Sequence, residues 1–162
     1  MQIVNRKARF HYQISEEIEA GLVLLSSEVK SVRLGQASIN ESYVAEIKGE
    51  LFLINSHIND YKFASNFNHQ AKWSRKLLLH KKQINKIIGK IQQGFSVVPM
   101  KIYFNKKNFA KLIIGLGKGK KLFDKRETIK KRDKLRDMQR QLSWWKKFCL
   151  KICCLMNQKS QK

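Results

Sequence analysis

A small closed antiparallel β-barrel with two or three short helices is the fold this sequence predicts, and three observations predict it. Six segments alternate apolar and polar residues with period two, glycine or polar residues stand at most of their ends, and only two segments carry helical periodicity. Closure is expected because a short, strongly twisted sheet otherwise leaves its edges exposed. Among such barrels the oligonucleotide-binding type is the natural candidate, and the composition is therefore mainly β.

Taken in order, the first strand is "ARFHYQI" (residues 8–14) and the second "EAGLVLL" (19–25). A helix follows over residues 27–34: Ser27 can cap the free N–H groups, Glu28 suits the positive end, and Gly35 can take the left-handed closing conformation. "SYVAEIKGELFLINSHI" (42–58) reads as a hairpin turning at Lys48, Gly49 and Glu50. Residues 60–76 form a long polar loop carrying Lys62, Lys72, Arg75 and Lys76, of the kind a compact domain keeps for function. The second helix spans 81–93, with Ile84, Ile87, Ile88 and Ile91 on one face, Lys81, Lys82, Lys86 and Lys90 on the other, and Gly94 as its stop. One face packs on the sheet and the other can meet phosphate. The last hairpin is "FSVVPMKIYFNKKNFAKLIIGLG" (95–117), turning over 105–108, with Met100, Ile102 and Phe104 sharing a face.

Charge decides the partner class. Thirty-four Lys and Arg against 12 Asp and Glu give a formal charge of +22 over 162 residues, which calls for a polyanion, with nucleic acid first. The density is uneven: residues 1–117 hold 18 basic and 8 acidic side chains, residues 118–162 hold 16 and 4. Between Arg126 and Gln141 the aliphatic and Met side chains are Ile129, Leu135 and Met138 alone, too few to offset the entropy of ordering that length. Yet the stretch lacks Gly and Pro and pairs Glu127 with Lys131, so it reads as a latent helix, disordered alone and ordered on an anion. Three segments result: a barrel over 1–122, a basic tail over 123–141 and an atypical extension over 142–162.

No catalytic site, cofactor or metal is read. "GLGKGKK" alternates Gly115, Gly117 and Gly119 and puts Lys121 where a phosphate-binding loop needs a hydroxyl. It reads as a strand ending in flexible backbone, open to close approach by phosphate. His11, His57, His69 and His80 form no HExxH or paired-carboxylate pattern, and structural or RNA-contacting roles are preferred. Cys149, Cys153 and Cys154 sit in one patch and read as reduced thiols without zinc-ligand spacing. Phe10, Tyr12, Tyr61, Phe63, Phe67 and Trp73 stand beside charge and can stack on unpaired bases, though for Tyr12 and Phe104 a core position is preferred. Arg6, Lys7 and Arg9 arrive early with no apolar run behind them, so a cytoplasmic protein is expected rather than a secreted one; a monomer is the expected state.

Several stretches together resemble the small protein B family, the SsrA-binding proteins of bacterial trans-translation. They are "NRKAR" (5–9), "EAG" (19–21), "EVKSVRLGQASINESYV" (28–44), "RKLLLHKKQI" (75–84) and "GLGKGKKLFDKRETIKKRD" (115–133), in the family's order. The resemblance covers about residues 3–140. It implies an oligonucleotide-binding barrel that grips the elbow of the tRNA-like domain of transfer-messenger RNA and delivers it to stalled 70S ribosomes. The tail would become helical in the empty message channel beside the decoding centre.

By this resemblance the RNA face maps onto Asn5, Glu19 and Leu78, with Lys7, Arg9, Lys30, Arg33, Arg75 and Lys76 as phosphate neighbours. The ribosome-binding tail maps onto Asp124, Lys125 and Arg126, followed by Lys130, Lys131, Arg132 and Lys134. Glu19 stands apart, because an acid facing RNA accepts hydrogen bonds from base or ribose and cannot neutralise phosphate. The chain departs from the family pattern at Phe10 and His11, where His then Glu is usual, and in the loop "NFNHQAKWS", which lacks the usual proline. The other function weighed is a general barrel-type binder of single-stranded or ribosomal RNA with an electrostatic tail. Beyond Gln139 the resemblance stops. "LSWWKKFCLKICCLM" (142–156) is too short to span a membrane; on a helix it would lie at a membrane or protein surface, and an overhang without a role is the preferred reading.

Overall fold

The computed structural model describes residues 2–62, 69–121, 124–130 and 132–140. The chain divides into two compact units, Met1–Lys120 and Lys121–Lys162. The first is mainly β. Its elements are β1 (Gln2–Val4), α1 (Ala8–His11), β2 (Tyr12–Leu22), α2 (Ser26–Arg33), β3 (Ala37–Ser38), β4 (Tyr43–Ile47), β5 (Glu50–Ile54), β6 (His57–Ile58), β7 (Arg75–Leu78), α3 (Lys81–Gln92), β8 (Ser96–Phe104) and β9 (Ala110–Gly119). Seven strands form one antiparallel sheet in the order β1-β8-β9-β2-β7-β5-β4, and β3 pairs with β6. The expected six strands become nine among the described residues: the two expected over 8–14 and 19–25 give the single strand β2, while β1, β3, β6 and β7, two to four residues long, are too short to show alternation.

The ladder does not close. Among the described residues β1 and β4 end the sheet without pairing to each other, although β4 runs close beside β8. Closure by hydrogen bonds, expected from the sequence, is therefore not what the sheet displays.

Local chemistry explains where elements start and turn. Residues 8–14 do not form one strand: the Asn5 side-chain oxygen accepts from the Lys7 and Ala8 amides, both at 3.1 Å, and this bends the chain into α1 before β2 begins. β2 is one 11-residue strand where the sequence suggests two, with a bulge between Ile14 and Glu16 that breaks the alternation. A second bulge, between Pro99 and Lys101, turns Met100 away from Ile102. Met100 packs with Ala8 and Val98 in a small outer cluster while Ile102 joins the main core, so the two do not share a face. Proline has no amide to offer a ladder, and a bulge accommodates it.

The β4–β5 hairpin turns at Lys48 (φ 53) and Gly49 (φ 77), the two positive angles of a tight hairpin whose twist matches its strands. In α2 the cap is not Ser27. The Glu28 carboxylate accepts the Leu25 amide at 2.8 Å, and the Ser27 hydroxyl instead meets His69 Nδ1 at 3.0 Å. Gly35 (φ 76) and Gly94 (φ 80) close α2 and α3 as their sequences suggest. Gly115 and Gly117 lie inside β9 rather than in a flexible end: a Cβ on Gly117 would stand 2.5 Å from the Gln13 carbonyl oxygen, so close strand packing explains the glycine.

The main core joins Leu51 and Leu53 of β5, Ile87 of α3, and Leu112 and Ile114 of β9, all fully buried. In the second unit residues 124–130 and 132–140 are helical, and most of their side chains are exposed. Asp133–Arg136 at 3.8 Å and Asp137–Arg140 at 3.5 Å are the i, i+3 ion pairs there. Phe63, Phe67, Lys131, the three cysteines and the 142–156 extension lie outside the described residues.

Candidate nucleic-acid interface

Because Ile18, Ala20 and Leu22 of β2 point into the core, Glu17, Glu19 and Gly21 face outward. Register then assembles the neighbours. Gly21 is opposite Leu78 on one side and Lys111 on the other, and Lys111 is opposite Tyr103. Leu78, Gly21, Lys111 and Tyr103 therefore form one row across four strands, with Glu19 beside it. Leu78 keeps 55 % of its surface exposed and offers an apolar face to solvent in this row. A Cβ on Gly21 would meet Leu78 Cβ at 3.1 Å, so the glycine is what lets Leu78 stand there. Gly21→Ala is expected to cost about 1–2 kcal/mol, the usual range for mild overpacking, read as a lower urea midpoint.

Glu19 is held, not loose. The Tyr103 hydroxyl donates to one carboxylate oxygen, and Lys111 Nζ lies 3.1 Å from the other. The Tyr103 hydrogen bond first, and Lys111 second, hold the Glu19 carboxyl below its ordinary range, while the Tyr103 phenol is pushed up by the same bond. A depressed pKa means the ionised form is present above the ordinary carboxylate value and is lost only as pH falls through the lower folded value. Glu19 is thus an oriented anion with lone pairs to spare, at the edge of a depression of about 440 Å³ shared with Leu78, His80 and Gln83. Such a site accepts hydrogen bonds from a base edge or ribose hydroxyl, lays an apolar surface against the sugar or base, and keeps cations nearby for phosphate.

The remaining sequence-picked residues divide. Lys76 shares the outward side of β7 with Leu78 and pairs with Glu50 at 2.5 Å. Lys30 and Arg33 are exposed on α2, over the rings of Tyr61 at 5.1 Å and Phe104 at 5.2 Å. Lys7 and Arg9 lie at α1, and Arg9 pairs at 2.9 Å with Glu17, the outward neighbour of Glu19 on β2. Asp124, Lys125, Arg126, Lys130, Arg132 and Lys134 fall in the helical residues of the second unit.

Two assignments are corrected. Arg75 is 1 % exposed and is not a phosphate neighbour. Its Nε and Nη2 reach Glu28 Oε1 at 2.8 and 2.7 Å, Nη1 donates to the Ser56 carbonyl and hydroxyl and the Trp73 carbonyl, and Nη2 also reaches the Ala71 carbonyl. A buried guanidinium needs all its donors satisfied, and this one is, so it ties α2 to β7 and the 71–73 loop. Asn5 is also buried, at 3 %, and its Nδ2 donates to the Ile39 and Pro99 carbonyls, both at 3.0 Å. It braces the fold rather than facing RNA. His69 is structural too, between Ser27 and the Ile58 carbonyl. Sequence reasoning missed Tyr103 and Lys111, which reach Glu19 only through strand register some ninety residues away in sequence.

The profile of the family described as SmpB protein matches residues 2–144. The chain belongs to the SmpB family. An SsrA-binding protein of Wolbachia pipientis subsp. Culex pipiens (strain wPip) is 58 % identical over 137 residues, 84 % of this chain and 92 % of that protein. The SsrA-binding protein of Rickettsia bellii (strain OSU 85-389) is 54 % identical over 137 residues, covering 84 % and 91 %. A solved structure described as "tmRNA-SmpB: a journey to the center of the bacterial ribosome" superposes with a TM-score of 0.64 at 42 % identity, over 75 % of this chain and 85 % of that one. The SmpB profile thus spans the strand row around Glu19 and the basic tail over 123–141.

Proposed function

We infer that this protein is an RNA-binding factor of trans-translation. It binds the tRNA-like domain of transfer-messenger RNA and delivers it to the A site of stalled 70S ribosomes, leading to ribosome rescue and tagging of the nascent peptide for degradation. The observation that carries this is family membership along nearly the whole chain, with relatives whose names state SsrA binding and a structural neighbour described with transfer-messenger RNA and the ribosome. It works by binding rather than by catalysis, and its place on the ribosome puts it in the cytoplasm.

The residue-level reading follows. The RNA elbow rests on Glu19 and Leu78, supported by Tyr103 and Lys111, with Lys76, Lys30 and Arg33 as phosphate neighbours. The body over 1–122 is a partly open oligonucleotide-binding barrel, a reading supported by β4 running beside β8. The tail over 123–141 is disordered when free and helical in the message channel, where Lys125, Arg126, Lys130, Lys131, Arg132 and Lys134 meet ribosomal phosphates and Asp124 belongs to the same motif. The 142–162 extension stands apart from both.

Purifying the protein from its own cells at moderate salt and sequencing the RNA that accompanies it tests the function. One dominant species with a tRNA-like end is the expected result; a broad mixture of ribosomal and messenger fragments would mean that charge alone selects the RNA. In the same assay Glu19→Ala is expected to lower retention of the dominant species about tenfold or more although it makes the surface more positive. Tighter binding would remove Glu19 from the contact. Because Glu19 is already ionised well below neutrality, the loss of retention caused by Glu19→Ala is expected to be the same at pH 6 and pH 8.

A further inference from the structure

We propose that the depression between Glu19 and Leu78 reads one unpaired guanine, the carboxylate accepting from N1–H and from the N2 amino group while Lys111 donates to O6. The proposal rests on the reading of this row as the RNA face and adds the base that the row selects.

The lone pairs left on Glu19 point to this base. An ionised carboxylate offers about four acceptor positions, shared between its oxygens. Lys111 Nζ takes one on Oε1, at 3.1 Å, and the Tyr103 hydroxyl takes one on Oε2. Each oxygen therefore keeps an acceptor, and the pair lies side by side, as it does when a carboxylate meets the fork of an arginine. The Tyr103 hydrogen bond and Lys111 also hold the carboxyl below its ordinary range, so it is acceptor-only at neutral pH. Because both oxygens are held before RNA arrives, little orientational freedom is lost on binding.

Two acceptors side by side call for two donors side by side. Among the RNA bases guanine alone has them on its Watson–Crick edge, N1–H next to the N2 amino group. Adenine would turn the lone pair of N1 toward the carboxylate, and cytosine that of N3. Uracil brackets its single N–H with two carbonyls. Each of these sets acceptor against acceptor, so discrimination comes from repulsion as well as from the bonds that are lost.

The order of the groups agrees. On guanine, O6 stands next to N1–H and away from the N2 amino group. Lys111 is on the Oε1 side of the carboxylate and Tyr103 on the Oε2 side. With N1–H on Oε1, O6 comes to the Lys111 ammonium and the N2 amino group falls on Oε2.

The surface beside the carboxylate suits a flat ring. Leu78 is diagonally across from Glu19 on the adjacent strand, about 7–8 Å away in ordinary strand geometry, and its side chain is more than half exposed. Gly21, directly opposite Leu78 and two residues after Glu19, adds no side chain to the gap. A purine laid against Leu78 thus meets Glu19 with its edge, in a depression that His80 and Gln83 also line.

The test uses the full chain with isotope-labelled leucine methyl groups and uridine heptamers carrying guanosine, inosine or adenosine at the centre, at one fixed salt concentration. Inosine keeps N1–H and O6 and lacks the N2 amino group. The Leu78 methyl resonances, identified by their loss in Leu78→Met, report binding at this depression, so RNA held elsewhere on the basic surface does not enter the reading. The guanosine heptamer is expected to bind about tenfold tighter than the adenosine heptamer, the discrimination of one good bidentate pair, with inosine between them. Glu19→Gln sets an amide donor against a guanine donor and is expected to bring the three affinities together; the ratio between heptamers cancels the change in charge. Equal affinities in the unsubstituted protein, or a guanosine preference that survives Glu19→Gln, overturn the inference. Displacement of the heptamer by an equal concentration of guanosine monophosphate would mark a free-nucleotide site and overturn the RNA assignment. Failure here is separable from failure of the function. Equal heptamer affinities, with co-purified RNA still lost in Glu19→Ala, remove only the base assignment. Guanosine selectivity that Glu19→Gln abolishes, with co-purified RNA unchanged in Glu19→Ala, supports the guanine pocket and removes the row from the transfer-messenger RNA contact.

Discussion

A chain ending at Phe123 is expected to keep transfer-messenger RNA and to lose peptide tagging completely. The row of Leu78, Gly21, Lys111 and Tyr103, with Glu19 beside it, is built from strands β7, β2, β9 and β8, all within the first unit. Every residue of that row precedes position 123. Over 124–130 and 132–140 the removed stretch carries dense positive charge on helical residues whose side chains are mostly exposed, so the free energy of that part comes from phosphate contacts. RNA affinity is expected to fall by no more than about tenfold from the lost long-range attraction, with a shallower salt dependence, since each phosphate contact removed lowers the slope by about one. Tagging on ribosomes stalled at the end of a message, measured as tagged peptide per ribosome, is expected to drop to background. Tagging that survives the truncation would show that the tail is not the ribosome-reading part.

Arg75→Met is expected to unfold the body far more readily and to act on RNA only through that loss. The guanidinium and Glu28 are both about 1 % exposed, and Glu28 also holds the Leu25 amide at the N-cap of α2 through its second oxygen. Removing one partner leaves a charge buried without its counterpart, which costs about 3–5 kcal/mol. In a body of this size that lowers Tm by about 10–20 °C. Glu28→Gln combined with Arg75→Met is expected to recover part of the loss, because the uncompensated charge is then gone while the amide still caps Leu25. A surface phosphate ligand would behave in the opposite way, with Tm unchanged and RNA affinity reduced. Thermal unfolding and RNA binding measured on the same variant separate the two.

These cases show where local reading succeeds. The isoleucine spacing of α3, the Lys48-Gly49 turn and the closing glycines of both longer helices are set by neighbours in sequence, and each stands in the structure as the residues suggest. Arg75 and Lys76 are adjacent and both cationic, and nothing in their neighbours in sequence separates them. Strand alternation sends one inward to Glu28 and the other outward to Glu50, and only the opposite strand positions reveal which carboxylate waits on which side. The bulges at Ser15 and Met100 are equally silent in the sequence, since an extra residue in a strand looks like ordinary alternation until the partner strand is laid beside it.

The sequence by itself determined that this protein is a basic, mainly β RNA binder of the SmpB family with a charged tail, because family motifs, hydrophobic periodicity and charge density are local properties of the chain. Tertiary structure alone decided which residues can touch RNA. It turned Asn5 and Arg75 into internal braces, placed Tyr103 and Lys111 around Glu19 and left the sheet unclosed. The physical reason is common to all of these: exposure and pairing depend on strand register between segments far apart in sequence, and a register shift of one residue moves a side chain to the other face.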